Sequence, residues 1–209
     1  MLKKVLSKLL PKKVLLVDAC GMSDKVFLTF DDGPHATITP QLLDLLDQFN
    51  ISAIFFCIGK HLDENQTLAQ DLVKRGHLLG NHSYFHNQFS KQSLPAQITE
   101  IKKVNQLIAE LAPKQGIIPF RAPQGRWTPL LMLWLIINRI PAIHWSVDSL
   151  DSRPLSVDAI EEQLLASVKG GDVVLFHDDG QLCCEVLEGL IPKWQAKGLD
   201  FGSLMSLWD

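Results

Sequence analysis

Two adjacent carboxylates, Asp31 and Asp32, stand between an apolar run, Val26-Phe27-Leu28, and a Gly33-Pro34 turn. Further on, His82 and His86 lie four positions apart in His82-Ser83-Tyr84-Phe85-His86. Asp, Gly and Pro are ordinary turn residues, and two histidines can simply face solvent, so neither piece decides the chemistry alone. Together they hold the parts of a metal site. Two imidazoles on one face of a helical turn, joined by one carboxylate, make a common catalytic zinc set with a position left for water. An ion so held lowers the pKa of a coordinated water from about 15.7 towards about 7. Asp31, beside Asp32, is placed to take that proton. Successive side chains of a strand point to opposite faces, so the two aspartates are expected to reach different targets. The same ligand types also form the iron triad of non-haem oxygenases.

Such a constellation needs elements that bring distant segments together. Val14 to Val17, Lys25 to Phe30, Ala53 to Ile58, His77 to Gly80, Gly116 to Phe120, Ala142 to Val147 and Val173 to Phe176 read as strands. Helices are expected from Thr39-Pro40, from about Glu64 to Arg75, from Ser93 to about Leu111, from Thr128-Pro129, from Ser156 to Gly170, and from about Cys183 to Lys197. Leu42, Leu45, Leu46 and Phe49 repeat at helical spacing and face a core. The helix after Pro129 is apolar nearly all round and is expected to be heavily buried. Strand and helix alternate along the whole chain, with no repeat, low-complexity segment or linker. The expected fold class is therefore α/β: a single-domain, irregular (β/α) barrel of about seven parallel strands, with a doubly wound sheet as the alternative. Asp31, Asp32, His82, Arg121, Asp148 and His177 each follow the apolar run of an expected strand. In a barrel of this kind the C-terminal strand ends converge on the face where chemistry is done.

The bulk composition excludes several classes. The chain has 209 residues, 46% hydrophobic and 21% charged, and a net charge of −3, so no global basic field points to nucleic acid. Cys20, Cys57, Cys183 and Cys184 form no C-x-x-C pair and read as reduced thiols rather than a disulfide framework. Residues 1–24 read as a basic N-terminal extension with a short strand, and residues 25–209 as the catalytic domain. The opening segment is basic and amphipathic but lacks a continuous apolar core and a small-residue cleavage site, which favours a cytoplasmic protein and leaves weak peripheral membrane contact open. The apolar run from Leu130 to Ile137 is too short to be a transmembrane segment.

The stretches Thr29-Phe30-Asp31-Asp32-Gly33-Pro34, His82-Ser83-Tyr84-Phe85-His86, Arg121-Ala122-Pro123-Gln124-Gly125, Asp148-Ser149-Leu150-Asp151 and Leu175-Phe176-His177 occur in the order seen in the polysaccharide deacetylase family. From about Lys25 onward the chain resembles that family, also called carbohydrate esterase family 4, and its chitooligosaccharide deacetylases. The resemblance implies an irregular barrel that removes N- or O-acetyl groups from sugars with one divalent metal, zinc in the first place, with cobalt, manganese or nickel as substitutes. It implies Asp31 as base, Asp32, His82 and His86 as metal ligands, and Arg121 as the residue that orients the base. It further implies His177 as general acid and Asp151 as the carboxylate that tunes it. Pro123, Gln124, Gly125, Trp127, Trp145 and Asp148 are then expected on the substrate side. The Gln124 N–H would be an oxyanion donor and the two tryptophans sugar-stacking candidates. Structural readings stand beside these roles: an ion pair for Arg121, turns for Asp148 and Asp151, core packing for the tryptophans. Asp178 and Asp179 are expected in solvent. Two departures mark this chain: Ser152 stands where the family has Trp, and Gln124 where an aromatic is common. The lost Trp raises the alternative of a sugar-binding module on an impaired scaffold. The implied substrate is an acetylated sugar oligomer, polymer or glycolipid.

Overall fold

The computed structural model describes residues 15–19, 24–86 and 89–204; Val14, Cys20 and most of the basic opening segment lie outside them. The sheet is built on β2 (Lys25–Asp31), which pairs in parallel with β3 (Ile54–Cys57) on one side and β7 (Val173–His177) on the other. β4 (Leu78–Asn81) extends the β3 side and β6 (Val147–Asp148) the β7 side, giving the order β4-β3-β2-β7-β6. Single parallel bridges, Asn81 to Phe120 and Phe120 to Ala142, carry the arc on to β5 (Ala142–Ile143), which pairs with β1 (Leu15–Leu16). An antiparallel bridge from Asp18 to Asp172 brings that far end back beside β7. The result is the expected parallel-strand α/β barrel in one domain, irregular because several staves are two residues or a single bridge. A short β8 (Asp200–Phe201) pairs with the start of β2.

The strand period of two sorts the side chains. Val26, Leu28 and Phe30 of β2 join Phe55, Val174 and Phe176 in a core beneath the helices. The alternate residues Phe27, Ile54, Phe56 and Val173 fill the barrel interior with Leu16 and Ile143. Among the described residues seven α-helices cover the outside: α1 (Ile38–Gln48), α2 (Gly59–Glu64), α3 (Gln66–Lys74), α4 (Leu94–Leu111), α5 (Pro129–Ile137), α6 (Val157–Ser167) and α7 (Leu182–Ala196). Leu42, Leu45 and Leu46 of α1 face the core as their spacing requires. Thr128 and Ser156 cap α5 and α6 by accepting the Leu131 and Ala159 N–H groups.

Several elements differ from the sequence expectation for identifiable reasons. α1 begins at Ile38 with Thr37 at its N-cap, so Pro40 is third in the helix, where the missing N–H is still not needed. The helix expected over 64–75 is α3, and a short helix that was not expected, α2, precedes it; the two are separated at Asn65, whose side chain donates to the Pro34 and His61 carbonyls. The strand expected over 116–120 is only the bridge at Phe120, because the Gln115 side chain occupies the Leu79 N–H and C=O that a neighbouring strand would take. Ala142 to Val147 is not one strand: His144, Trp145 and Ser146 leave the sheet and carry the chain from β5 to β6. α5 is buried on one side only. Leu131, Met132 and Leu135 pack inward, while Leu130, Leu133 and Ile137 are 63%, 53% and 70% exposed.

Phe30 links fold and site. Its ring lies 4.9 Å from Phe55 and 6.0 Å from Phe176 on the flanking strands, directly before Asp31 in the chain. Phe30→Ala should cost about 3–5 kcal/mol through the cavity it leaves. The check is the shift of the urea unfolding midpoint; an unchanged midpoint would show that this stack does not hold the central strands.

Candidate metal and acid–base site

The strand ends converge as the topology requires. Asp31 is the last residue of β2 and sits opposite His177, the last residue of β7. Both side chains continue the inward-facing set. β2 then ends, and Asp32 takes a left-handed conformation with φ 77°. That twist turns its carboxylate back toward the same chamber. Asp31 Oδ2 lies 3.5 Å and Asp32 Oδ1 3.6 Å from His82 Nε2. The expectation that the two aspartates would diverge to opposite faces is thus corrected: they reach different partners inside one chamber.

Asp32, His82 and His86 each offer one ligand atom, all within 4.8 Å of one another. The histidines are not on a helical turn as expected. The segment is a loop, with φ of 65° at Ser83 and 63° at His86. The His82 Nδ1–H donates to the Arg121 carbonyl at 2.9 Å, and burial pushes the ring pKa down to about 4. A neutral ring with its proton on Nδ1 presents the Nε2 lone pair. His86 Nε2 lies 3.5 Å from the same Asp32 Oδ1, and burial lowers its pKa as well. Asp32 Oδ1 is buried without a hydrogen-bond partner. Burial, then the adjacent Asp31 charge, raises Asp32 to about 7. Lewis-base atoms facing one another away from water repel unless a cation lies among them. Two imidazoles and a carboxylate suit one divalent ion, so the residues fit the metal that the resemblance implies.

Arg121 has no solvent exposure. It donates from Nη1 to Asp31 Oδ1 at 2.7 Å and to Thr29 Oγ1 at 2.9 Å, from Nη2 to the His144 carbonyl at 3.0 Å, and from Nε to the Ile143 carbonyl at 3.3 Å. Its guanidinium carbon lies 4.1 Å from the Phe56 ring centroid. Asp31 is left with Oδ2 facing the chamber. On the other side the His177 Nδ1–H donates to Asp151 Oδ1 at 2.8 Å, and the His177 backbone N–H donates to Oδ2 at 2.8 Å. Burial opposes charging the His177 ring. The Asp151 hydrogen bond and charge, with those of Asp31 and Asp32, outweigh it and lift the pKa to about 9. The ring is therefore protonated at neutral pH.

The substrate-side residues divide. Gln124 (φ 55°) and Gly125 (φ 61°) form a tight turn in which the Gly125 and Arg126 N–H groups bond back to Ala122 and Pro123. A side chain at Gly125 would meet the Trp145 ring, with a Cβ 2.7 Å from it. Trp145 is half-buried and its ring lies 4.0 Å from His144. Trp127 packs edge-on against Phe120 and His144. Asp148 accepts the Leu150 N–H at 3.0 Å, closing the turn that aims Asp151. Ser152 is exposed.

Several supporting residues carried no sequence signal. Glu100 of α4 accepts the Tyr84 and Phe85 N–H groups between the two histidines, at 2.9 and 3.2 Å. Asn81 accepts the Ser83 N–H, and Ser83 Oγ accepts the His86 N–H. The His61 Nδ1–H donates to the Asp32 carbonyl at 2.7 Å. Ser149 Oγ donates to Asp151. Asp178, expected in solvent, is fully buried. It accepts from Thr39 Oγ1, lies where a Cβ at Gly33 would be, and is pushed by burial up to about 8. Asp179 is exposed as expected.

The sequence and the fold resemble those of known proteins. The family model for polysaccharide deacetylase matches residues 18–135. A chitooligosaccharide deacetylase of Sinorhizobium fredii is 36% identical over 154 residues, 73% of this chain and 71% of its own. A peptidoglycan-N-acetylglucosamine deacetylase of Bacillus cereus is 32% identical over 190 residues, 88% of this chain and 68% of its own. Among solved structures, a peptidoglycan N-acetylglucosamine deacetylase in complex with 4-naphthalen-1-yl-N-oxidanyl-benzamide superposes with a TM-score of 0.86 at 29% identity, over 92% of each chain. A family 4 carbohydrate esterase from Streptomyces lividans in complex with acetate gives 0.80 at 30% identity, over 87% of this chain and 93% of the other. With the motifs, the barrel and this match in agreement, the chain belongs to the polysaccharide deacetylase family, carbohydrate esterase family 4.

Proposed function

We propose that residues 25–209 form a catalytic unit that hydrolyses the acetamide of an N-acetylglucosamine-containing oligo- or polysaccharide, with one zinc ion held by Asp32, His82 and His86. The observation that carries this reading is the placement of the triad between two poised couples, Asp31 with Arg121 and His177 with Asp151. When bound, a divalent ion polarises a carbonyl oxygen and makes a water nucleophilic near neutral pH. Asp31 accepts the water proton at Oδ2, since Arg121 engages Oδ1 and fixes the plane of the carboxylate. The Gln124 N–H stabilises the oxyanion as the water oxygen bonds to the acetyl carbon. As the carbon–nitrogen bond breaks, His177 delivers the proton from Nε2 to the leaving amine while Asp151 holds Nδ1. Acetate and a free amino sugar result. The separate base and acid favour hydrolysis over oxygen chemistry or bare sugar binding, neither of which needs both. The names of the relatives, a chitooligosaccharide deacetylase and a peptidoglycan-N-acetylglucosamine deacetylase, support an N-acetylglucosamine-containing substrate.

The direct test is acetate release from N-acetyl chitooligosaccharides together with metal analysis. Asp32→Ala should lose both stoichiometric metal and turnover; normal values for both would overturn the ligand assignment. His177→Ala should keep the metal and lose roughly 10²–10⁴ in kcat.

The acid couple has a pH signature. His177 acts in its protonated form, so the rate falls as pH rises through its pKa. Removing the Asp151 charge lowers that pKa, so in Asp151→Asn the basic limb of the kcat/KM profile should move to lower pH. A basic limb that stays in place would exclude His177 as the acid coupled to Asp151.

Glu100 anchors the middle of the ligand loop, beside the Asn81 and Ser83 contacts that hold its ends. Glu100→Ala should weaken metal affinity by about 10–100-fold, the usual effect of removing a group that orients a ligand. Competition with a chelator measures it. Glu100→Gln, which can still accept both N–H groups, should restore most of the affinity.

A further inference from the structure

We propose that Asp178 is a positioning residue: lodged against the turn that follows β2, it sets where the ligand carboxylate of Asp32 stands relative to the acid His177. The inference rests on the metal and acid roles proposed above. Asp178 directly follows His177 at the end of β7 and has no solvent exposure. Its backbone N–H donates to the Asp31 carbonyl at 3.2 Å, so the pairing of β7 with β2 continues one step beyond the acid. Its side chain then reaches the chain that leaves β2. Both carboxyl oxygens lie where a Cβ at Gly33 would be, so the residue after Asp32 rests directly on this group and has no room for a side chain. Oδ2 accepts the Thr39 hydroxyl at 2.7 Å, and Thr39 Oγ1 in turn accepts the His35 N–H at 2.7 Å. One carboxyl therefore bears on Gly33 directly and on His35 through the first turn of α1.

Stability alone does not explain a carboxyl at this place. Oδ1 is buried without a hydrogen-bond partner, which costs free energy that an apolar side chain would not. What the group provides is a stop of fixed size against a segment that must hold Asp32 at φ 77°, a conformation that persists only where the surroundings impose it. The strands flanking β2 divide that task. On the β3 side the Asp32 N–H donates to the Phe56 carbonyl at 3.2 Å, and the Gly33 carbonyl accepts the Ile58 N–H at 3.0 Å. On the β7 side the tie is Asp178, which belongs to the same strand end as the acid. The ligand turn and the acid are thus braced against each other by adjacent residues. Misplacing a reacting group by about 1 Å can cost about 10²-fold in rate, which is the scale of effect such a brace controls.

Zinc affinity by chelator competition, measured beside acetate-release kinetics on the full chain, tests it. Asp178→Ala should bind zinc about 10–100-fold more weakly and lose about 10²-fold in kcat, with KM little changed. Asp178→Asn has the same shape and still accepts from Thr39, so it should restore most of both. Thr39→Val should move both quantities in the same direction, and its effect combined with Asp178→Ala should be smaller than the sum of the two. The proposal fails if Asp178→Ala lowers only the thermal midpoint and keeps the zinc affinity and kcat of the parent, or if Asp178→Asn is as impaired as Asp178→Ala. Should Asp178→Ala not fold, Thr39→Val decides: parental zinc affinity and kcat in that variant overturn the proposal. A parent that binds zinc but releases no acetate would sink the assigned activity instead, and the zinc affinities of the variants would still judge the role of Asp178.

Discussion

A guanidinium sealed from water holds this barrel together at the level of its site. Arg121 donates to Thr29 and Asp31 on β2 and to the carbonyls of Ile143 and His144 at the end of β5, so one side chain ties the two halves of the arc. Burial lowers its pKa, but not enough to discharge an arginine. A buried charge is tolerated only when paired and fully hydrogen-bonded, and breaking such a pair costs about 3–5 kcal/mol. The Arg121 carbonyl in turn accepts the His82 proton, which sets the tautomer of that ring. One residue therefore orients the base, closes the interior and aims a ligand.

Around it the backbone is bent where chemistry is done. Asp32, Ser83, His86, Gln124 and Leu150 are five of the seven non-glycine residues with positive φ among those described, and all lie in the strand-end loops. Such conformations cost of order 1–3 kcal/mol each and persist only where the surroundings over-determine them. Here the surroundings are explicit. His61 and Asn65 hold the turn after β2, Glu100 and Asn81 hold the histidine loop, and Asp148 and Ser149 hold the turn to Asp151. Rigid sheet ends and these polar anchors replace the freedom that loops would otherwise have.

The site electrostatics follow from burial of unlike groups side by side. Burial presses the ligand histidines toward neutrality and raises Asp32 to about 7, while Asp151 and the two chamber aspartates hold His177 protonated to about 9. The chamber thus separates lone pairs on one side from a proton donor on the other. A cation among the lone pairs would favour the charged form of Asp32.

The chain itself determined the alternation of strands and helices, the class of barrel, and the residues at the strand ends, because apolar periodicity and the position of polar residues after each apolar run are local properties. Asp31, Asp32, His82, His86, Arg121, Asp151 and His177 stood out for that reason and through their resemblance to a known family. Tertiary structure alone decided that Asp31 and Asp32 share one chamber, since this depends on the backbone twist after β2. It also decided that Asp178 is buried under Gly33, that Glu100 serves a loop more than a dozen residues away, and that only one side of α5 is covered. These facts belong to contacts between elements, and no window of sequence contains both partners of such a contact.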